Sequence, residues 1–389
     1  KKMKEIFADM HIHIGRTESG RPVKITAART LTLDEILIEA SEHKGMELIG
    51  IIDCHSPEVL AEIEKGVSSG RYTELEDGGI KYKDTVLLCG SELEINDDRC
   101  RGPIHVLAFM PSISAMKQFS AWLSERVTNI HLSSQRIYET GIGLQRKVKE
   151  LGGLFIPAHI FTPHKSLYGK GVKFSLQEVF DPKMIDAVEL GLSSDTDMAS
   201  HVSELNPYAF LTNSDAHSLG KIGREYNKLH IKHASFQEFS LALKGQEGRC
   251  IAANYGMNPQ LGKYFQTACE RCGRLQEAGE TVCKACGSRK FTKGVSTRLK
   301  ELYDQDESPV KRPPYVHQVP LQLIPGIGPK TIQKLKDAFG TEMNILHRVK
   351  EGELKETIRP QTAELVIKAR NGGLELKAGG GGTYGKVQS

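Results

Sequence analysis

Seven short apolar runs in the first 255 residues, each continuous rather than alternating, restrict this chain more than any other feature. They are Ile6–Ile12, Leu48–Ile52, Val86–Cys89, Val106–Met110, Leu154–Pro157, Ala187–Leu190 and Ala209–Leu211. Strands that are apolar on both faces are buried on both faces, as parallel strands under helices are. Stretches of helical period separate them, at Leu33–Lys44, Pro57–Val67, Ala115–Val127, Ile142–Leu151 and Phe236–Leu243. So many β/α repeats in one unit predict an α/β fold closed, or nearly closed, into a barrel rather than an open doubly wound sheet.

The chain has 389 residues, more than one compact core usually organises, and its character changes after about residue 255. Residues 256–389 hold 22 Lys/Arg against 14 Asp/Glu, a net +8, and residues 1–255 a net −4. An acidic front that can hold cations and a basic back that can hold phosphates suit a polyanionic partner. No apolar run reaches the ~18 residues of a membrane span, so the composition predicts a soluble, cytoplasmic protein with no membrane partner.

Histidines and acids gather at the ends of the apolar runs. The first runs out through Asp9, His11 and His13, and on an extended chain this i, i+2 spacing points both imidazoles the same way. Others end in Asp53-Cys54-His55, Gly90-Ser91-Glu92, Pro157-Ala158-His159 and Asn213-Ser214-Asp215-Ala216-His217, while His105 opens the fourth. The C-terminal rim of a parallel barrel is where active sites form, so these groups are expected to converge on two or three divalent ions. Mixed imidazole and carboxylate ligands suit zinc, manganese or iron.

In this order the motifs resemble the PHP (polymerase and histidinol phosphatase) family, along nearly all of residues 1–255. The resemblance implies a distorted seven-stranded β/α barrel and a multinuclear phosphoesterase centre. One ion would be held by His11, His13, Glu92 and Asp215, with Glu92 bridging to a second on His105 and His159, and His55 with His217 would form a third site. Here the sequence departs from the family: Cys54 separates Asp53 from His55, and no histidine follows His13 until His43. Asp9 would orient a ligand histidine or cap the strand, Glu92 and Asp215 would carry the chemistry, and magnesium joins the candidate ions.

Residues 256–298 carry Cys269-x2-Cys272-x10-Cys283-x2-Cys286, the spacing of a four-cysteine zinc ribbon. Arg271, Arg274, Lys284, Arg289 and Lys290 decorate its knuckles. In residues 299–389 a polar stretch, Leu299–Gln318, reads as a linker, and Gly379–Gly382 as a tail. Between them Leu323–Leu335 resembles the helix-hairpin-helix motif, in which Gly326 and Gly328 let the backbone approach a phosphate and Lys330 adds charge.

A PHP barrel, a zinc ribbon and a helix-hairpin-helix in this order resemble the endonuclease Q family. That resemblance implies a monomeric, nucleoid-associated repair endonuclease that cuts DNA 5′ to uracil, hypoxanthine, xanthine or an abasic site, with a replication clamp as a further candidate partner. Reading an altered base requires extruding it from the duplex, and Ser193 and Asn213 are the implied readers; a turn or core role is the alternative for each. Rival readings are a small-molecule phosphatase, a proofreading exonuclease and a non-catalytic binder of damaged DNA.

Overall fold

Strands form where the apolar runs predict them, and further strands join. The computed structural model describes residues 2–376, so the Gly379–Gly382 stretch lies outside the described residues. The principal strands are β1 (Lys4–Ile12), β2 (Leu48–Ile51), β3 (Thr85–Ile95), β4 (Ile104–Met110), β5 (Leu154–Pro157), β6 (Ala187–Glu189), β7 (Ala209–Leu211), β8 (Tyr226–Ile231), β9 (Cys250–Gly256) and β10 (Tyr315–His317). Hydrogen bonds order them β10-β9-β8-β1-β2-β3; β3 also pairs with β4 and β4 with β5, and β6 and β7 form a separate parallel pair.

The sheet is mixed, which corrects the expectation of parallel strands throughout. β1 and β2 run parallel, as do β2 and β3, but β4 runs antiparallel to both β3 and β5. The physical reason is the connection: only residues 96–103 join β3 to β4, fewer than the dozen or so that a parallel crossover needs. β8 is likewise antiparallel to β1 and β9.

Alternate residues of successive strands meet in one buried cluster, among them Ile6, Ala8 and Met10 of β1, Leu88 of β3, Phe109 of β4, Ile156 of β5, Leu211 of β7 and Leu229 of β8. The strands therefore wrap a common interior. Their opposite faces, carrying Phe7, Ile49, Leu87, Val106 and Phe155, pack in a second cluster with the helices. No ladder joins β7 to β8 among the described residues. Buried amides bridge the gap: Thr212 N donates to Asn227 Oδ1 at 2.9 Å, Asn227 Nδ2 to Thr212 O at 2.8 Å, and Asn254 Nδ2 to Phe210 O at 3.0 Å.

The segment read as a linker is built into this body. Val295–Leu302 is a helix and β10 adds to β9 in parallel. Between them Ser203 N donates to Asp304 Oδ1 at 2.8 Å and Arg312 Nη2 to Leu205 O at 2.9 Å. Polar side chains make these attachments, and apolar periodicity cannot report them. Farther on, helices Pro329–Phe339, Glu351–Thr357 and Pro360–Arg370 share the outer core. His347 stacks on Phe7 at 4.6 Å, and its Nε2 lies 2.5 Å from Tyr226 Oη. Burial, then Lys228, Arg370 and Arg348, push its pKa down to about 3. No helix among the described residues is long and apolar enough to cross a membrane.

Candidate metal centre

The backbone of β1 aims the first two histidines. Ile6, Ala8 and Met10 point inward, and strict alternation would send Ile12 inward as well. The pairing with β2 instead shifts register between Asp9 and Ile12, Ile12 packs in the outer cluster, and His11 and His13 turn to the rim. Such an irregularity is a recurrent way of re-aiming side chains beside a site. Because β4 is antiparallel, its first residues lie where β3 ends: His105 pairs with Glu94, two residues beyond Glu92. His159 and Asp215 have φ of +30° and +49°, strained for residues other than glycine and a common mark of functional positions.

These groups converge in three overlapping sets, His11 with His13 and Glu92, His13 with Asp215 and His217, and Glu92 with His105 and His159, each with its ligand atoms within 4.8 Å of one another. His11 Nε2 lies 3.1 Å from both Glu92 Oε2 and Asp215 Oδ1. His13 Nε2 is 3.1 Å from Asp215 Oδ1, and His217 Nε2 is 3.4 Å from the same oxygen. His105 Nδ1 approaches Glu92 Oε1 at 3.4 Å and His159 Nε2 approaches Glu92 Oε2 at 3.8 Å. All of these except His11 face a cavity of about 270 Å³ that Lys24, Thr26, His164, Lys165 and Tyr264 also line.

The electrostatics are those of a cation site. Burial alone would lower the pKa of His11, but Glu189, Asp215 and Glu92 overcome it and hold the ring well above its ordinary value. Burial likewise opposes the charge on His13, yet Asp53 and Asp215 raise its pKa to about 9. Desolvation would raise Glu92, and the charges of His105 and His11 reverse it to well below normal. Asp215 is held low against the same penalty by His11 and His13. Divalent ions fit this donor set: His11 Nε2 and Glu92 Oε2 are buried, adjacent and without hydrogen-bond partners, as two ligands aimed at one ion would be.

Other residues singled out from the sequence lie elsewhere. His55 does not join the cluster, because its Nε2 faces Leu132 O at 2.9 Å and its Nδ1 faces Ser91 Oγ at 2.7 Å; His217 instead gathers with His13 and Asp215. Asp9 touches no imidazole. Its carboxylate accepts from Ser214 N at 3.0 Å, Gly223 N at 2.9 Å and His11 N at 3.4 Å, so it clamps the backbone that presents Asp215; burial raises its pKa to about 6. The amide of Asn213 accepts from Met10 N at 3.0 Å and donates to Glu189 Oε2 at 2.8 Å, and the residue also lines the cavity. Ser193 has φ +72° and a buried hydroxyl without a partner.

Two acids orient the ligand histidines: Glu189, which the sequence reading did not single out, and Asp53, which it noted only as a strand-end group. Glu189 Oε2 meets His11 Nδ1 at 2.8 Å and its Oε1 accepts from His159 N at 2.9 Å. Asp53 Oδ2 meets His13 Nδ1 at 3.2 Å and accepts from Ile14 N at 2.8 Å. Carboxylates behind ligand histidines fix tautomer and ring orientation. Both stand at strand ends, a signal the sequence carried.

In the ribbon, Cys269 Sγ lies 3.5 Å from Cys286 Sγ and Cys272 Sγ 3.5 Å from Cys283 Sγ. That is close to the edge of about 3.8 Å implied by tetrahedral Zn–S bonds of about 2.3 Å. Arg274 pairs with Glu280 at 2.9 Å and Lys284 with Glu277, leaving Arg271, Arg289 and Lys290 exposed at the knuckles. In the segment 323–335 Gly326 has φ +89°, and a Cβ there would meet Thr362 Oγ1 at 2.7 Å, so only glycine fits. Gly328 caps the helix that Pro329 and Lys330 begin.

The wrapped strands and their rim of histidines and carboxylates define a metal-dependent hydrolase. No family model matches the chain. The uncharacterized protein YqxK of Bacillus subtilis is 70% identical over 386 residues, covering 99% of this chain and 100% of its own length. An uncharacterized protein of Methanocaldococcus jannaschii is 38% identical over 252 residues, covering 58% of this chain and 31% of its own length. The lesion-specific endonuclease PfuEndoQ of Pyrococcus furiosus superposes with a TM-score of 0.83 at 30% identity, over 99% of this chain and 95% of that one. An endonuclease Q complex with a 27-mer duplex bearing an abasic lesion at the active site gives 0.82 at 30% identity, over 99% and 96%. The chain belongs to the endonuclease Q family and is a metal-dependent endonuclease.

Proposed function

We propose that this protein cuts the phosphodiester bond of DNA at abasic sites and 5′ to deaminated bases. We read residues 1–255 as the catalytic part, a distorted form of the PHP barrel, with residues 256–298 as a zinc ribbon and 299–389 as a DNA-holding part. The observation that carries the reading is the match, over nearly the whole of both chains, to an endonuclease Q complex with an abasic duplex. Divalent ions on His11, His13, Glu92 and Asp215, and on Glu92, His105 and His159, would supply the charge that a phosphodiester needs neutralised and the means of making water nucleophilic at neutral pH.

The protein's own groups do the rest. Glu189 and Asp53 keep the far nitrogens of His11 and His13 turned to the centre. Lys24 and Lys165 on the cavity wall favour a phosphate there. The hairpin backbone at Gly326–Lys330 and the exposed arginines of the ribbon hold the duplex without reading sequence. With the amide of Asn213 committed, the partnerless hydroxyl of Ser193 is the remaining candidate to read a base. The test is a covalently closed circular duplex with one uracil, hypoxanthine or abasic site: the wild-type protein with manganese or magnesium is expected to nick it at the lesion. Asp215→Ala is expected to abolish nicking while binding stays within several-fold. No cut on any circle overturns the proposal.

A further inference from the structure

Ile25 is 73% exposed, the most exposed of the large apolar side chains among the described residues. Single apolar residues at a surface are ordinary, and a loose loop tip would account for one. This tip is not loose. Ala27 N donates to Lys24 O at 3.0 Å and closes a turn with Ile25 and Thr26 at its apex. Val23 N to Gly15 O and Lys24 N to Ile14 O, both 2.9 Å, hold one limb; Ala28 N to His217 O, 2.8 Å, holds the other. Lys24 Nζ donates to Ser134 Oγ at 2.9 Å, and that hydroxyl donates to Glu92. The turn is thus tied at both ends to candidate metal ligands. Its residues Lys24 and Thr26 line the metal cavity, whereas Ile25 between them stands out into solvent.

An enzyme that takes a nucleotide out of a duplex must deal with the gap left in the stack, and proteins that distort DNA fill such gaps with rigidly held apolar wedges. We propose that Ile25 is such a wedge, entering the base stack beside the extruded nucleotide. This rests on the lesion-directed function above. A branched aliphatic side chain suits the role, since in water it stays unburied and in the stack it gains its burial only when the duplex opens. Its position follows from the turn: the residues on either side of it line the metal cavity, so the apex is placed to meet the strand held there.

The test compares Ile25→Ala and Ile25→Leu on a duplex with one abasic site or uracil, on single-stranded DNA with the same lesion, and on a duplex with 2-aminopurine beside the lesion. For Ile25→Ala the expected result is a fall of about tenfold in kcat/KM on duplex, the size of losing one aliphatic burial. On single strands the fall is expected to stay within about twofold, because there is no stack to invade. The rise in 2-aminopurine fluorescence on binding should shrink in Ile25→Ala and return in Ile25→Leu. Equal losses on duplex and single strand, or an unchanged fluorescence rise, overturn the wedge. A wild-type protein that cuts no lesion yet shows an Ile25-dependent fluorescence rise keeps the wedge and sinks the lesion reading.

Discussion

His11 Nδ1 and Glu189 Oε2 lie 2.8 Å apart, both buried, and this contact decides which nitrogen of His11 faces the candidate ions. An ionised Glu189 holds the proton on Nδ1 and leaves Nε2 free as a ligand. Glu189→Gln keeps the shape and removes that charge. It is expected to lower metal affinity or activity by about 10–100-fold without loss of fold, read by metal titration, nicking rate and circular dichroism. Full metal affinity in this variant would reassign Glu189 to holding the backbone of His159.

The amide of Asn213 joins Met10 N to Glu189 Oε2, and we propose on that ground that it supports the scaffold rather than reading a base. Asn213→Ala is therefore expected to reduce cleavage at uracil, hypoxanthine and abasic sites by the same factor. A loss at deaminated bases that spares abasic sites would restore it as a reader of base edges.

Cys269→Ser combined with Cys272→Ser removes half of a four-sulfur set whose atoms lie within 4.8 Å. The expected outcome is the loss of about one zinc per chain and weaker binding to all DNA, with the mixed sheet and its helices still folded because their core is separate. Elemental analysis and far-UV circular dichroism check it; unchanged zinc content would count against a ribbon.

His347 is held neutral, with a pKa near 3, while in the unfolded chain it titrates near 6.5. Between those values the unfolded state binds the extra proton, so stability is complete above about pH 6.5 and falls as pH drops toward 3. Over pH 6.5 to 5 this single group costs about 2 kcal/mol. His347→Phe, which keeps a ring against Phe7 and Tyr255, should lose that much less on going from pH 7 to pH 5 in urea melts, whatever its stability at pH 7. An identical pH slope would show that the histidine is protonated in the fold.

Much of the candidate centre was legible in the sequence because its groups are local signals at strand ends: His11, His13, Glu92, His105, His159, Asp215 and His217 fall into three overlapping sets that could hold metal ions. What misled was residue type without direction. Asp9 and His55 stand at strand ends too, but their polar atoms are taken up by the backbone of Ser214 and by Leu132 and Ser91. Burial demands a partner for every polar group, and the partner is invisible until the strands are placed side by side.

The sequence by itself determined the α/β class, the positions of the apolar strands and the two cysteine knuckles, since each follows from periodicity or spacing within a few residues. Only the tertiary structure decided the direction of β4 and the register shift in β1. One carries His105 to the rim and the other turns His11 and His13 to it. Both are relations between strands distant in sequence, fixed by which pairing buries the apolar faces and satisfies the backbone at once.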